Sequence, residues 1–418
     1  MVLHMAVDEL KSRVVQSVDA TEVVELVKSL IRIPSLQDEE TKVACFIAQF
    51  METNGIEVEM HEVEPGRFQP VGWIRGTGEG PSLAFCGHMD TQPPPMDYAD
   101  EPFVPYEKNG CLYGLGVGNM KAGLGASLAA AVALRRARAA LKGNLVLMPV
   151  VGEHQGGVGT DFNIRNALIP DMTIVNESTN LGILTKSPSS ISVLISTFGE
   201  TRHISRLFLP PEPVNAINKM CKVIDAVQRM KFTHEPSRDF PELPVVNIGA
   251  IMGGKGREYN IHRDTTTASY CTISINIRGP HSMTAESVKN DLERELERLR
   301  KNDQALQYEI EMPPETYREP WRVKKLFMPG NNLPLNSTIV EALQKNHKLV
   351  TGSEPQVGTK KYSTDDAGRL TLAGSQALSY GPGTKSESRP TREGVVIDTI
   401  VTCAKVLAAT AAEICGMN

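Results

Sequence analysis

The spacing of apolar positions changes along the chain, and each change marks an element. Between Thr21 and Arg32, TEVVELVKSLIR sets Val23, Val24, Leu26, Val27, Leu30 and Ile31 at helical spacing and stops before Pro34, which predicts a helix. A second helix is predicted from Asp38 to about Asn54, closed by Gly55, and the IEVEMHEV that follows alternates with the period of a half-buried strand. PSLAFCGHMD reads as a short buried strand whose carboxyl end delivers His88 and Asp90. NLVLMPVVGEH and DMTIVNES are further strands that end in polar residues. This pattern predicts an α/β fold with functional side chains at the carboxyl ends of sheet strands.

From about Pro188 to Ala305 the rhythm differs: a strand (SISVLISTF), a helix (VNAINKMCKVIDAVQRM), two strands (PVVNIGAIMG and TTASYCTISINIR) and a helix (TAESVKNDLERELERL). That β-α-β-β-α unit is expected to stand as an inserted α+β domain, residues 188–305, with residues 1–187 and 306–418 forming the main domain. The main domain closes with a helix predicted from about Gly394 to Ile414. The chain has no internal repeat and no low-complexity tract. A length of 418 residues exceeds what one core usually serves, which agrees with two domains.

Composition narrows the function. With 41% apolar and 22% charged residues the chain is an ordinary globular protein rather than a disordered or fibrous one. A net charge of −5 offers no basic stripe for nucleic acid, so a small-molecule partner is expected. The longest apolar run, Gly123–Leu134, is too short to span a bilayer and leads into Arg135 and Arg136, so no membrane span is expected. Seven scattered cysteines without a Cys-x-x-Cys pair, behind a charged amino terminus that lacks the apolar stretch of a signal peptide, lead to the expectation of reduced thiols in a cytoplasmic protein.

Four short segments set metal-type ligands or a carboxylate base at strand ends or nearby loops: Gly87-His88-Met89-Asp90, Gly118-Asn119-Met120-Lys121, Gly152-Glu153-His154 and Asn176-Glu177-Ser178. A His-x-Asp at a buried strand end suits a metal ligand whose second ring nitrogen is held by a carboxylate. One such triplet is a weak signal. Four in series are much stronger, because independent structural residues would rarely fall at every position.

In order and content the segments GHMDTQP, YGLGVGNMKAG, VGEHQGGVGT and IVNEST resemble the series GHxDxVP, GRGxxDMKGG, DEExGGxGT and GEPT of metallopeptidase family M20. The stretch around His203 (GETRHISRLFLPPEPVNAI), VNIGAIMGGKGREYNI with Asn260, and the tail YGPGTKSESRPTREGVV are also similar, so the likeness runs from about residue 20 to the carboxyl terminus. The resemblance implies a zinc-peptidase-like catalytic domain, a mixed sheet flanked by helices, carrying an inserted dimerisation or lid domain. It implies that His88 and Glu177 bind the first metal, that Asp90 orients His88, and that Glu153 is the general base. His203 would reach into a partner's site and stabilise developing negative charge, in a homodimer or a higher homo-oligomer. The chemistry is consistent: a divalent ion lowers the pKa of water toward neutrality, and a nearby carboxylate completes its deprotonation.

The departures carry as much information. The family's bridging aspartate is Asn119 here, and a neutral amide does not bridge two cations as a carboxylate does. The glutamate of the second metal is His154, and the carboxyl-terminal histidine is missing, since no histidine follows His347; Arg389 stands at that position. The expectation is therefore one divalent ion per chain, labile and held by His88, Asn119 and Glu177, with Arg389 in the place of the second ion and binding a substrate carboxylate in bidentate fashion. Mn²⁺ is favoured by the oxygen-rich ligand set, and Zn²⁺ stays open. His154 keeps three readings: a substrate contact, a metal ligand in place of Asn119, or a satisfied histidine behind the site. Tyr380 and Gly383 in SYGPG are expected to line the substrate pocket together with Asn260.

The expected reaction is hydrolysis of a C–N bond. A mononuclear site beside a carboxylate-binding arginine suits release of ammonia from a carboxylate-bearing aromatic amine such as 5-nitroanthranilate. The alternatives are a one-metal deacylase or dipeptidase acting on N-acyl amino acids, and a non-catalytic relative that binds a carboxylate. Bland readings stand beside these. GLGVGN at 114–119 has Asn119 where a dinucleotide loop needs its third glycine, so a nucleotide role is set aside. His203 is open between the role above and an ordinary loop histidine. Asp365 and Asp366 are expected to shape a loop or helix start rather than bind metal, and most of His4, His61, His234, His262, His281 and His347 to be solvated.

Overall fold

The computed structural model describes residues 2–257, 264–314, 317–318, 321–322, 325–359, 363–384 and 391–416. They form two compact units, Met1–Ser187 with Asn331–Asn418, and Pro188–Gly330.

The first unit is built on an eight-stranded mixed sheet. Its order is Glu57–Glu64, Arg67–Ile74, Leu145–Val150, Leu83–His88, Met172–Val175, Gln376–Ser379, Ile183–Lys186 and Val357–Thr359. The four central strands, from Leu145–Val150 to Gln376–Ser379, run parallel, and pairs such as His88 with Val150 and Ser379 with Val175 bring their carboxyl ends level. Three of them are completely buried and apolar along most of their length, as strands covered on both faces must be.

Helices follow from local signals. Asp19 caps Ala20–Arg32 by accepting the Glu22 N–H at 3.0 Å, and the helix buries the six apolar residues whose spacing predicted it. The next helix is Thr41–Thr53, so the predicted start at Asp38 is three residues early; Asp38 has φ 70°, which no helix tolerates. The apolar run after Lys121 forms Ala122–Arg136, and its small residues have a reason. A Cβ on Gly123 would stand 1.8 Å from the Asn176 carbonyl oxygen, so only glycine lets this helix lie against the strand end that carries Glu177. The helical stretch is long and apolar enough to cross a membrane, yet 83% of its most apolar window is buried, as in a core helix.

The predicted terminal helix begins three residues late, at Ile397, because Gly394–Val396 pairs antiparallel with Cys111–Tyr113. Several elements had no expectation, among them the helices Val2–Gln16 and Thr338–Thr351 and the strand Arg67–Ile74, interrupted in sequence by Pro70 and Gly72.

The second unit is a four-stranded antiparallel sheet in the order Val245–Gly254, Tyr270–Gly279, Ser189–Phe198, Gln307–Glu311. The helices Ala216–Arg229 and Ala285–Asn302 cover it around a core that includes Val193, Ile195, Met220, Val223, Ile273, Ile275 and Leu292. The boundary expected at 305 is corrected to 330: Gln307–Glu311 pairs with Ser189–Phe198 and so belongs to this unit.

Candidate metal and catalytic site

Four segments of the first unit meet at the carboxyl ends of the parallel strands. His88 is the last residue of its strand and is fully buried. Its Nδ1–H donates to the Asp90 carbonyl oxygen at 2.8 Å, which leaves Nε2 facing Asn119 Oδ1 at 2.7 Å and Glu177 Oε1 at 3.6 Å. Burial opposes charge on this imidazole, but the Asp90 and Glu177 carboxylates outweigh it and hold the His88 pKa well above its ordinary value.

The Asp90 carboxylate stands 3.5 Å from His88 Nδ1 and has a second set of partners. Its two oxygens accept the backbone N–H groups of Glu153 and His154, each at 3.0 Å. Burial would raise the Asp90 pKa; contact with His88, the nearby His154 and these backbone donors drive it far below the usual carboxylate range. Asp90 thus ties the histidine strand to the turn that carries Glu153 and His154.

Glu153 and His154 form a single helical turn after the strand Leu145–Val150. His154 Nδ1 lies 3.2 Å from Glu153 Oε2, and the His154 ring meets the His88 ring edge-on at a centroid distance of 4.9 Å. Asn119 is held by its own loop. Ser178 Oγ donates to the Gly118 carbonyl at 2.5 Å, and Glu393 Oε2 accepts the Gly116 N–H at 2.8 Å. Burial pushes the Glu393 carboxyl up despite these donors. Lys121, two residues on, is buried and donates to the Leu30 and Ile33 carbonyls at 2.8 and 2.9 Å; burial lowers its pKa to about 7. Glu177 depends on Gly381, where a Cβ would come within 2.2 Å of the Glu177 carbonyl oxygen.

The donor set fits a metal ion. Ligand atoms of His88, Glu153 and His154 all lie within 4.8 Å of one another. His154 Nε2 is buried with no hydrogen-bond partner among the described residues, and an orphaned imidazole nitrogen of that kind is a lone pair or proton in want of a neighbour. Two imidazoles beside the carboxylates of Glu153 and Glu177 suit Zn²⁺ as well as Mn²⁺.

Other sequence-predicted residues fall outside this cluster. Tyr380 does not line a pocket with its side chain: the ring is fully buried in the core of the first unit, and its hydroxyl lies 2.9 Å from His347 Nδ1. His347 is correspondingly buried rather than solvated, and burial lowers its pKa. Gly383 is buried against Asn180, whose Oδ1 would meet a Cβ at 2.5 Å, and its N–H donates to Thr399 Oγ1 at 2.9 Å. Asp365 accepts the Ala367 N–H at 3.0 Å at a helix start, while burial and the nearby Glu153 carboxylate raise the Asp366 pKa to about 7. Arg389, Asn260 and His262 lie outside the described residues.

In the second unit, His203 precedes the short turn Ile204–Arg206. Its Nδ1 accepts the Ser205 N–H at 3.2 Å and lies 2.8 Å from Ser205 Oγ. A backbone N–H can only donate, so Nε2 carries the ring proton, on a residue that is exposed to solvent.

Residues missed by sequence reasoning include Glu393, Gly381, and the pair Arg67 and Gln69 behind the Glu153 turn. Only Gly381 and Glu393 had a visible signal, lying in the YGPG and TREGVV segments.

A family model described as "Peptidase family M20/M25/M40" matches residues 84–413. The chain belongs to this family. It is accordingly a metal-dependent hydrolase of C–N bonds, which sets aside the non-catalytic alternative. It is 25% identical over 403 residues to N-formyl-4-amino-5-aminomethyl-2-methylpyrimidine deformylase of Bacillus subtilis (strain 168), covering 92% of this chain and 93% of that one. Acetylornithine deacetylase of Proteus mirabilis (strain HI4320) is 29% identical over 248 residues, 55% of this chain and 62% of that one. Among solved structures, the di-peptidase Dug1p from Saccharomyces cerevisiae shares the fold with a TM-score of 0.77 at 14% identity, over 97% of this chain and 99% of that one. Human carnosine dipeptidase 1 does so with 0.73 at 15%, over 98% and 99%.

Proposed function

We propose that the enzyme hydrolyses the amide C–N bond of a small N-acylated, carboxylate-bearing compound, using one divalent ion per chain. The observation that carries this reading is the meeting of His88, Glu153 and His154 ligand atoms within 4.8 Å, beside an amide, Asn119, where the family's bridging carboxylate is expected. When bound, a divalent ion would acidify water and polarise the acyl oxygen.

His88, Glu177 and either His154 or Asn119 would hold that ion. Glu153 takes a proton from the attacking water as the new C–O bond forms at the acyl carbon, then returns it to the nitrogen as the C–N bond breaks. The products are a carboxylate and an amine. His203, with its proton on Nε2, is the donor to charge developing on the acyl oxygen, delivered from a second copy of the chain in a homodimer. Arg389 is the candidate for the substrate's carboxylate.

Relatives named for removal of formyl and acetyl groups favour this over the 5-nitroanthranilate reading, since neither name mentions a nitroaromatic compound. The test is turnover of N-formyl, N-acetyl and N-succinyl amino compounds by the metal-loaded enzyme, with acid and ammonia assayed separately. Release of the acyl acid with an equivalent of amine is expected. Ammonia from 5-nitroanthranilate with no acyl hydrolysis would overturn the proposal.

A further inference from the structure

The segment Val151–Gly159 carries both Glu153 and His154, yet its backbone is a series of glycine turns: Gly152, Gly156 and Gly157 have φ of 66°, 89° and 81°. Such a segment takes its attitude from whatever grips it. Asp90 grips it from the histidine strand. The helix Ala367–Leu372 adds Arg369 Nη2, which donates to the Gly156 carbonyl at 2.9 Å.

A third grip comes from the strand Arg67–Ile74, where Arg67 and Gln69 are two residues apart and therefore on one face. Arg67 Nη1 donates to Gln155 Oε1 at 2.7 Å. Arg67 also pairs with Glu40 through Nε at 2.9 Å and through Nη2, and Glu40 Oε1 accepts the Gly152 N–H at 3.2 Å. Gln69 Oε1 accepts the Val151 N–H at 3.1 Å, while its Nε2 donates to the Gly159 carbonyl at 3.1 Å and to Asn163 Oδ1 at 2.8 Å. Contact is tight: a Cβ on Gly159 would lie 2.2 Å from Gln69 Oε1, and one on Gly152 would lie 3.0 Å from Arg67 Nη2.

Arg67, Gln69, Glu40 and Gln155 are all buried. A buried guanidinium surrounded by Asp38, Glu40 and Glu64 is a poor way to gain stability, because apolar residues of the same volume generally do as well or better. Its geometry has another use. Every bond above ends on residues 151–159 or on a side chain that reaches them, Asp38 included because its Oδ1 accepts from Gln155 Nε2 at 3.0 Å, apart from the contacts to Glu64 and Asn163.

We propose that Arg67 and Gln69 are positioning residues that fix the attitude of the Glu153 turn, so that Glu153 and His154 face the metal position already oriented. The inference rests on the reading above that these two side chains work at the metal. Arg67 acts through Gln155 and through Glu40, and Gln69 acts directly on the backbone at both ends of the segment.

The test uses the full chain with Co²⁺ as the probe, reading its visible ligand-field spectrum and its affinity. Deleting Arg67 alone risks unfolding, so Gln155→Met is the principal variant, since it leaves the Arg67–Glu40 pair intact. The neutral pair Arg67→Gln with Glu40→Gln is the second. Both are expected to shift the spectrum and to weaken Co²⁺ binding about tenfold or more, the usual scale for loss of a group that orients ligands. Gln155→Glu keeps an acceptor for Arg67 while giving up the Nε2 bond to Asp38 Oδ1, and is expected to recover most of the parent spectrum, which a purely structural defect would not do. Parent-like spectrum and affinity in both variants, or a Gln155→Glu protein as impaired as Gln155→Met, would overturn the proposal. Turnover does not enter these readings, so a failure of Glu153 as the base would be seen separately, as activity surviving in Glu153→Gln.

Discussion

His154 lies in a segment gripped from three elements, with a ring nitrogen buried and unpartnered among the described residues, whereas His203 lies in an exposed turn with Ser205 as its hydrogen-bond partner. Around His203 the side chains of Ile204, Leu207, Phe208 and Leu209 are exposed as well. The first histidine has its position set by the whole unit. The second has its backbone pinned at a bridge to Thr266, flanked by the Ile204 N–H on the Thr265 carbonyl at 2.8 Å and the Thr267 N–H on the Arg202 carbonyl at 2.9 Å, while its exposed side chain has only Ser205 as a partner. Orientation fixed on folding suits a group that must meet a metal ion and a base together, since the ordering cost is met before substrate arrives. A fixed tautomer on an exposed side chain suits a donor whose target is supplied from elsewhere.

The largest expected effect falls on the gripped region. Glu153→Gln keeps the size of the side chain and its backbone bonds to Asp90 but removes the base, and steady-state turnover is expected to fall about 10²- to 10⁴-fold with Co²⁺ affinity within a few-fold of the parent. Unchanged turnover would end the assignment of Glu153. On the exposed side, His203→Ala is expected to lower kcat about 10²- to 10³-fold, the scale for one donor to an oxyanion, while Ser205→Ala changes it little because the N–H that sets the tautomer remains. Equal losses in the two variants would show that the serine hydroxyl, and not the backbone N–H alone, sets the His203 ring.

Tyr380→Phe separates core from site. It leaves buried His347 Nδ1 without its partner and is expected to cost about 1–3 kcal/mol of stability in denaturant melts, with kinetic constants unchanged. A raised KM at parent stability would return Tyr380 to the pocket wall. The smallest effect concerns the second unit's own electrostatics. Lys219 and Lys222 hold the Asp303 carboxyl below its ordinary value. A depressed folded pKa contributes stability above the unfolded value and loses it as pH falls through the folded one. Asp303→Asn should therefore lower the thermal midpoint slightly at neutral pH, and the gap to the parent should close on acidification below about pH 4. A gap that persists at low pH would assign the loss to something other than charge.

Much of the architecture was legible because periodicity is a local signal. The strands ending at His88, Val150 and Val175, and the helix Ala20–Arg32, follow directly from apolar spacing. The strand Arg67–Ile74 was not legible: Pro70, Gly72 and two buried polar residues break the alternation, and its polar side chains make sense only against a turn some eighty residues away in sequence. The same limit explains Asp90. Its place beside His88 suggested the ring as its partner, and the carboxylate does stand 3.5 Å from His88 Nδ1; that it also accepts the backbone N–H groups of Glu153 and His154, a contact across two strands, was not legible. Tyr380 misled for a related reason. The glycines around it signal close backbone approach, which Gly381 does make against Glu177, but the tyrosine side chain points into the core.

The number of metal ions held at this site decides between a one-ion and a two-ion enzyme. Asn119 and His154 stand where two carboxylates are expected, and the most direct measurement is a calorimetric titration of metal-free protein with Zn²⁺ and with Mn²⁺, checked by elemental analysis after gel filtration. One ion per chain is predicted, with affinity lost in His88→Ala. Two tightly bound ions per chain would contradict the account.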